Sequence, residues 1–231
     1  MRVISRARIF EQLNRQQIEN VWSVLSPRKK ELKKGDLFIE DGQHVSFCGI
    51  VESGELSANK LYADGYLSLL LKFVPSYTIG ADIAATKKRI SSYFVTALTD
   101  SVVWIMDYDK IAHPGSLPEA ERLLMMESIL ALIAGENIRK MNKIEIISRK
   151  GIRDRILTYL TLESGFYQST EFDIPFNREE MADFLCLNRS KLSHELSLMQ
   201  QEGLIKYRKN HFKIMNPDYC PREVQGFCEY Y

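Results

Sequence analysis

The chain has 231 residues, a length that allows one large domain or two modest ones. Its 31 lysine and arginine residues balance 30 aspartate and glutamate residues, which excludes a wholly basic nucleic-acid coat and an acidic solvating protein, so any site for a polyanion must be local. Hydrophobic residues make up 45% of the chain and charged residues 26%, values typical of globular proteins and not of disordered or collagen-like ones.

The N-terminal segment does not have the features of a secretory signal, because Arg2, Arg6 and Arg8 interrupt its apolar residues. No apolar stretch elsewhere approaches the length needed to span a bilayer. The cysteines lack the spacing of a metal knuckle or of a dense disulfide framework. They are Cys48, Cys186, Cys220 and Cys228. We therefore predict a cytoplasmic protein with no membrane partner and no metal site.

The first predicted element is a short helix or helix pair between Ile9 and Leu25, where apolar residues recur at roughly a helical period. From Leu32 to about Asp109, short apolar runs alternate with glycine-containing turns. This texture predicts a small barrel or sandwich of short antiparallel strands. Its clearest strand candidates are residues 47–51, 67–73, 93–98 and 102–106.

A long helix is predicted between Glu119 and Ser148, because this stretch contains no proline and one glycine. Thirty residues would form a rod of about 45 Å. The rod carries a stripe with steps of three and four residues, close to a coiled-coil repeat. The stripe consists of Leu123, Met126, Leu130, Ile133, Asn137, Met141 and Ile144. We expect this stripe to form the helix–helix seam of a homodimer, with Asn137 setting the register of the two helices. The alternative is that the stripe packs on the chain's own barrel.

Two compact helices are predicted after a helix at residues 152–162 and a short alternating segment at residues 171–176. Asn177 can cap the first compact helix, with Glu180 three residues later at the capping-box spacing. Asn188 can cap the second, which continues to about residue 202.

A small basic hairpin around residues 209–210 follows, and the succession of elements is the outline of a winged helix-turn-helix. In that motif the second helix enters the major groove. On a helical wheel this helix has one apolar face that can pack on the first helix. The face consists of Leu192, Leu196 and Met199. Residues 216–231 have no predicted element.

The outer face of the second helix is polar, with short hydrogen-bond donors and one arginine that suit base edges and phosphates. It carries Arg189, Ser190, Ser193, His194 and Ser197. Residues 186–214 contain six basic against two acidic side chains. A local positive charge is what attraction to phosphates requires, although a solvated surface on an ordinary helical domain would also explain it.

Residues 177–214, which include Asn-Arg-Glu-Glu-Met-Ala-Asp-Phe-Leu-Cys-Leu-Asn-Arg-Ser-Lys-Leu-Ser-His-Glu-Leu, resemble the DNA-binding domain of the Crp/Fnr family of bacterial transcription regulators. The resemblance extends over nearly the whole chain. It implies an α+β protein with a cyclic-nucleotide-binding-type sensor β-roll (1–115), a dimerisation helix (116–148) and a winged helix-turn-helix (149–231). The implied partners are a second copy, double-stranded DNA with an inverted-repeat operator, and RNA polymerase in the case of an activator.

The resemblance also implies roles for individual residues. Arg178 would touch a phosphate, and base-contacting positions would fall on Arg189, Ser190, Ser193 and His194. Lys191, Arg208 and Lys209 complete the predicted DNA-binding set. The family usually has glycine where Cys186 stands, often glutamate at Ser190 and arginine at His194, so we expect an operator that differs from the common one. Cys186 itself is interpreted as a small buried residue between the two helices, with a redox role as the alternative.

Nucleotide-binding members of the family use a glutamate for the ribose and an arginine for the cyclic phosphate. After Gly80, the matching positions here are Ala81 for the glutamate and Ser91-Ser92 for the Arg-Ser pair, so both charged contacts are missing. Cyclic AMP is therefore not expected to bind, and the effector is unknown. Three consecutive basic residues follow Ala81, and one of them could replace the arginine as the ligand of the cyclic phosphate. The alternative is that all three lie in a solvated turn. These are Lys87, Lys88 and Arg89.

No cofactor is predicted. Iron–sulfur sensors of this family use a cysteine cluster near the N-terminus, whereas the first cysteine here is Cys48. Haem would need an axial ligand such as His44 or His113, residues that lie in predicted turns. An enzyme is not predicted either, because the chain has no G-x-S-x-G, P-loop, G-x-G-x-x-G or H-E-x-x-H motif. The alternative function is a signalling dimer that acts through protein contacts without DNA, which a covered Arg189 face would favour.

Overall fold

The computed structural model describes residues 3–65 and 67–215, so the segment 216–231 lies outside the described residues. The chain divides into two compact units, Met1–Ala134 and Gly135–Tyr231. The long helix α4, Glu119–Ser148, has the bounds predicted for it and contributes residues to both units. The α+β fold is confirmed, and the predicted domain limits at residues 115 and 148 stay a prediction. Within the described residues, no helix is both long and apolar enough to cross a bilayer.

The first unit is built on two four-stranded antiparallel sheets. Their strands are Arg28–Leu32 (β1), Leu37–Ile39 (β2), Phe47–Ser53 (β3), Leu56–Leu61 (β4), Leu67–Phe73 (β5), Thr78–Ile79 (β6), Phe94–Ala97 (β7) and Ser101–Asp107 (β8). One sheet has the strand order β1-β8-β3-β6 and the other β2-β7-β4-β5. All four strand candidates from the sequence are confirmed within about two residues.

Two apolar cores lie on opposite faces of the first sheet. The inner core joins it to the second sheet, with Val51 of β3 packed among residues such as Leu56 and Val95. The outer core includes Cys48 and Ile50 of β3. Because β3 is covered on both faces, residues 48–51 are all buried, and the strand is continuously apolar instead of alternating.

Helices cover the outer core. They are α1 (Arg15–Leu25), α2 (Ala81–Ala84), α3 (Tyr108–Ala112) and the first half of α4. Of the two forms predicted between Ile9 and Leu25, the helix pair is observed and a single helix starting at Ile9 is not. Residues Arg8–Phe10 form a 3₁₀ turn that buries Ile9 and Phe10, and α1 begins only after Asn14, which forms a capping box with Gln17.

Up to residue 215, where the described part ends, the second unit contains three helices after α4 and a three-stranded sheet. The elements are α5 (Ile152–Tyr167), β9 (Glu171–Asp173), α6 (Arg178–Phe184), α7 (Arg189–Gln201), β10 (Ile205–Arg208) and β11 (His211–Ile214). The sheet order is β10-β11-β9. Both compact helices and the hairpin are confirmed. Helix α5 continues five residues beyond the predicted end at Leu162, and its last residue, Tyr167, stacks on Phe172 of β9 with ring centroids 5.8 Å apart.

Candidate nucleic-acid interface and effector region

Asparagine caps position both helices of the pair. Asn177 accepts hydrogen bonds from the backbone of Glu180 and Glu179, and the Glu180 carboxylate accepts one from the backbone N–H of Asn177 at 2.8 Å. Asn188 Oδ1 accepts from the backbone N–H of Ser190 at 2.9 Å and from the Ser190 hydroxyl at 2.5 Å. The capping side chains satisfy N–H groups that the first helical turn leaves without partners, so the start of α7 is fixed by its own sequence.

The turn between the helices is made by a residue with left-handed backbone. Cys186 has φ +53° and its side chain is exposed. The interpretation of Cys186 as a buried packing residue is therefore wrong. Its position favours glycine because of backbone geometry and not because of limited space.

Helix α7 has the two faces expected of it. Leu192, Leu196 and Met199 are fully buried. The predicted DNA-contacting residues of α7 lie on the other side: Ser193 is half-buried and the remaining four are exposed. Those four are Arg189, Ser190, Lys191 and His194. Among residues 3–65 and 67–215 nothing covers the Arg189 face, and contact of these residues with DNA stays a prediction.

A charged clamp, which sequence reasoning missed, holds α7 against α5. Arg153 Nε donates to Glu195 Oε1 at 2.6 Å, and its two terminal nitrogens donate to the two oxygens of Glu202 at 2.8 and 2.9 Å. Charge-assisted, bidentate bonds of this kind orient as well as attract. Glu195 and Glu202 are also the two acidic residues of the basic segment 186–214, so both are paired with a cation that lies outside it.

The β10–β11 hairpin, residues 205–214, forms the wing. Lys209 forms its turn with φ +58°, and Arg208 and Lys209 are exposed. Arg178 of α6 packs its half-buried guanidinium 4.9 Å from the ring centre of Tyr207, and its Nη2 donates to the Lys209 carbonyl at 3.2 Å. Arg178 therefore connects the first helix of the pair to the wing turn, and its contact with phosphate stays a prediction.

The predicted seam of α4 is largely exposed on the chain. Leu123, Leu130 and Ile144 have exposed fractions of 55%, 69% and 53%, and Asn137 is exposed as well. These four residues are spaced by seven, the heptad repeat. Met141 is also exposed, whereas Met126 and Ile133 are half-buried and pack on the outer core. Apolar side chains this exposed at regular heptad spacing are typical of a helix–helix seam.

The segments matched to the nucleotide site carry small side chains without charge. Gly80 has φ +85° and precedes α2, and Ala81 is 4% exposed. Ser91 is buried, and its hydroxyl donates to the Tyr93 carbonyl at 2.6 Å, whereas Ser92 is exposed. Since Ala81 cannot hold a ribose hydroxyl and Ser91 cannot neutralise a phosphate, the site lacks both charged contacts.

Arg89, the arginine of the neighbouring basic run, is already paired with a carboxylate. Both terminal nitrogens of Arg89 donate to Asp109, at 2.7 and 2.8 Å, and the guanidinium packs over the Tyr108 ring. These bonds lower the pKa of Asp109. Lys87 and Lys88 are exposed, as expected of a solvated turn. Arg89 is thus engaged in a bidentate ion pair and would have to leave Asp109 to bind an anion.

Cyclic AMP is expected to bind with a dissociation constant no better than millimolar, about −4 kcal/mol, because Ala81 and Ser91 replace both charged contacts. Isothermal titration calorimetry with cyclic AMP and cyclic GMP checks this. A micromolar constant would contradict it, and an Arg89→Gln variant would then show whether Arg89 had become the phosphate ligand.

The cofactor candidates do not cluster. His44 and His113 are both exposed, and His113 Nε2 lies 3.4 Å from Asp109. Cys48 is fully buried, and burial raises the pKa of its thiol to about 12, which suppresses thiolate chemistry. Among residues 3–65 and 67–215, no group of three or more His, Cys, Asp or Glu side chains could hold a metal ion.

Two family models match the chain. The cyclic nucleotide-binding domain matches residues 29–113, and the Crp-like helix-turn-helix domain matches residues 154–219. A probable transcriptional activator of Rhizobium leguminosarum bv. viciae is 25% identical over 197 residues, 82% of this chain and 78% of that protein. The fumarate and nitrate reduction regulatory protein of Escherichia coli (strain K12) is 21% identical over 212 residues, 89% of this chain and 82% of that protein.

Solved structures share the fold. FixK2 from Bradyrhizobium japonicum has a TM-score of 0.65 at 16% identity, covering 87% of this chain and 96% of its own. The c-di-GMP responsive regulator CLP of Xanthomonas campestris has a TM-score of 0.66 at 15% identity, covering 88% and 100%. The β sheets, long helix and winged helix-turn-helix thus define a regulator with a sensor-type domain and a DNA-binding-type domain. The chain belongs to the Crp/Fnr family of transcription regulators.

Proposed function

We propose that the protein is a homodimeric, sequence-specific DNA-binding transcription regulator, controlled by an effector in its β-roll. The observation that carries the proposal is the α7 surface, where Arg189, Ser190 and His194 are exposed while the apolar face is buried. A covered Arg189 face would have favoured signalling without DNA. An exposed polar face beside a basic wing supports insertion into the major groove instead.

Each predicted residue has a place in this proposal. Arg189 in the first turn of α7 contacts a guanine edge, and His194 contacts a neighbouring base, with Ser190 and Ser193 beside them. The remaining cations contact phosphates and fix the register of the protein on the duplex. These cations are Arg178, Lys191, Arg208 and Lys209. The hydrogen bond from Arg178 to the wing turn supports a shared placement of Arg178 and Lys209 at the DNA backbone.

Dimerisation through the α4 stripe gives the regulator two copies of α7. A two-fold protein requires a two-fold operator, so we expect an inverted repeat with half-sites about one helical turn apart. An effector that favours one arrangement of the two copies would change their spacing and hence the affinity for DNA. The name of the Rhizobium relative, a probable transcriptional activator, supports RNA polymerase as a further partner in the cytoplasm.

Duplex binding and its salt dependence test the proposal. By fluorescence anisotropy with a mixed-sequence duplex, the logarithm of the association constant is expected to fall linearly with the logarithm of salt concentration. Arg208→Gln and Lys209→Gln should each make this negative slope shallower by about one, because each substitution removes one phosphate contact. Lys34→Gln, at an exposed lysine of the first unit, is the matched control and should leave the slope unchanged. No binding at low salt, with and without small molecules from cell extract, would contradict the proposal.

A further inference from the structure

We propose that His211, held as an imidazolium between two carboxylates of β9, positions the wing for DNA and makes DNA binding depend on pH. This inference rests on the proposed function, because Arg208 and Lys209 of the wing belong to the proposed DNA interface. His211 is the first residue after the wing turn, so interactions that hold the His211 side chain also restrain the turn.

Both ring nitrogens of His211 face carboxylate oxygens. Nδ1 lies 3.0 Å from Asp173 Oδ1, and Nε2 lies 3.1 Å from Glu171 Oε1. Ionised carboxylates accept hydrogen bonds and cannot donate them, so both nitrogens must donate. Only the protonated ring carries two N–H groups. A neutral ring would turn a lone pair toward one of the carboxylates, and the contact between β11 and β9 would weaken.

The sheet register identifies the other charges that face His211. His211 pairs with Asp173 on β9 and with Arg208 on β10. Two residues along β11, Lys213 pairs with Glu171, and its Nζ donates to Glu171 Oε2 at 2.7 Å. The two carboxylates of β9 thus balance two cations of β11, while Arg208 and Lys213 oppose protonation of His211.

The pKa of His211 is raised from its ordinary value by its hydrogen bonds to Glu171 and Asp173. A raised pKa means that the stabilisation is fully present below the ordinary histidine pKa of about 6.5. It is lost as the pH rises through the raised value. Arg178 and Asn210 also hold the wing turn, through bonds to the Lys209 carbonyl and to the Ile174 carbonyl. Deprotonation therefore loosens the wing and does not unfold it.

Nuclear magnetic resonance of the full-length protein without DNA tests the ion pair. The chain has four histidines, and His211→Gln identifies the His211 ring signal by its loss. We expect His211 to titrate above the ordinary value, and Asp173→Asn to move its pKa back toward that value. A His211 pKa at the ordinary value, or one that Asp173→Asn leaves unchanged, would overturn the inference whether or not the protein binds DNA.

DNA affinity as a function of pH tests the consequence, in a His194→Gln background that removes the other histidine of the interface. From about pH 6 to about pH 8.5, affinity should fall about threefold to tenfold with His211 present. His211→Arg keeps a permanent cation with several donors and should flatten this loss. Glu163, whose pKa burial raises to about 7, is present in both proteins, so their difference isolates His211. Equal pH profiles would overturn the inference, whereas no DNA binding by the protein with both His194 and His211 present, at any pH, would instead refute the proposed function.

Discussion

Replacing Arg189 with alanine is expected to cost about 1–3 kcal/mol of binding free energy for the duplex that the wild type prefers, and to relax base preference at one position. Arg189 is exposed in the first turn of α7, where a guanidinium can donate two hydrogen bonds to one guanine. Competition anisotropy with the preferred duplex and its single-base variants measures both effects.

The matched control for Arg189→Ala is Lys209→Ala on the wing. A lost phosphate contact should weaken binding to all sequences alike and lower the salt slope, whereas Arg189→Ala should change discrimination. Since both side chains are exposed, thermal unfolding and the oligomeric state should match the wild type in both variants. If Arg189→Ala weakened every duplex equally, Arg189 would be a phosphate contact and base recognition would have to lie elsewhere on α7.

Replacing Leu130 and Ile144 together with glutamate is expected to convert the dimer to monomers. Each leucine-sized side chain removed from an interface costs about 1.5–3 kcal/mol, and every glutamate buried there adds a desolvation cost. The dissociation constant should therefore rise at least about a hundredfold. Sedimentation equilibrium measures it. Both side chains are more than half exposed on the chain, so the fold of each copy should survive.

Ala131→Glu is the control for the α4 seam. Ala131 is exposed and lies one residue beyond Leu130, about 100° around the helix, so its substitution should leave the dimer intact. Ile133 is avoided because it packs on the outer core of its own domain, and a charge there would destabilise the monomer as well. A double variant that still sediments as a dimer would show that the interface lies on another surface.

Elements with strong local signals could be predicted from the sequence. The continuity of α4 follows from the absence of proline, and the starts of α6 and α7 follow from their asparagine caps. Strand β1, Arg-Lys-Lys-Glu-Leu, is not a strand candidate from the sequence because its first four residues are charged; in the structure these four are exposed and only Leu32 is buried. Its strand conformation depends on pairing with β8, far along the chain, a contact that local propensity does not encode.

In the candidate site, too, some features follow from local sequence and others depend on contacts between distant residues. The buried and exposed faces of α7 follow from helical periodicity, which is local. The ion pairs that position the site do not: Arg153 with Glu195, Arg89 with Asp109, and His211 with Glu171 join residues 20 to 42 apart. Cys186 illustrates a further limit, because its left-handed backbone follows from how the turn joins two packed helices.

Selection from a pool of random duplexes tests the central claim, that two copies of α7 recognise DNA, most directly. The wild-type dimer is expected to enrich an inverted repeat with half-sites about one helical turn apart. In the same selection, Arg189→Ala should lose the preference at the base that Arg189 contacts in each half-site, and so weaken this enrichment, while remaining folded and dimeric. If the wild-type protein enriched no sequence, with and without small molecules from cell extract, α7 would not be a recognition helix and sequence-specific DNA binding by this protein would be contradicted.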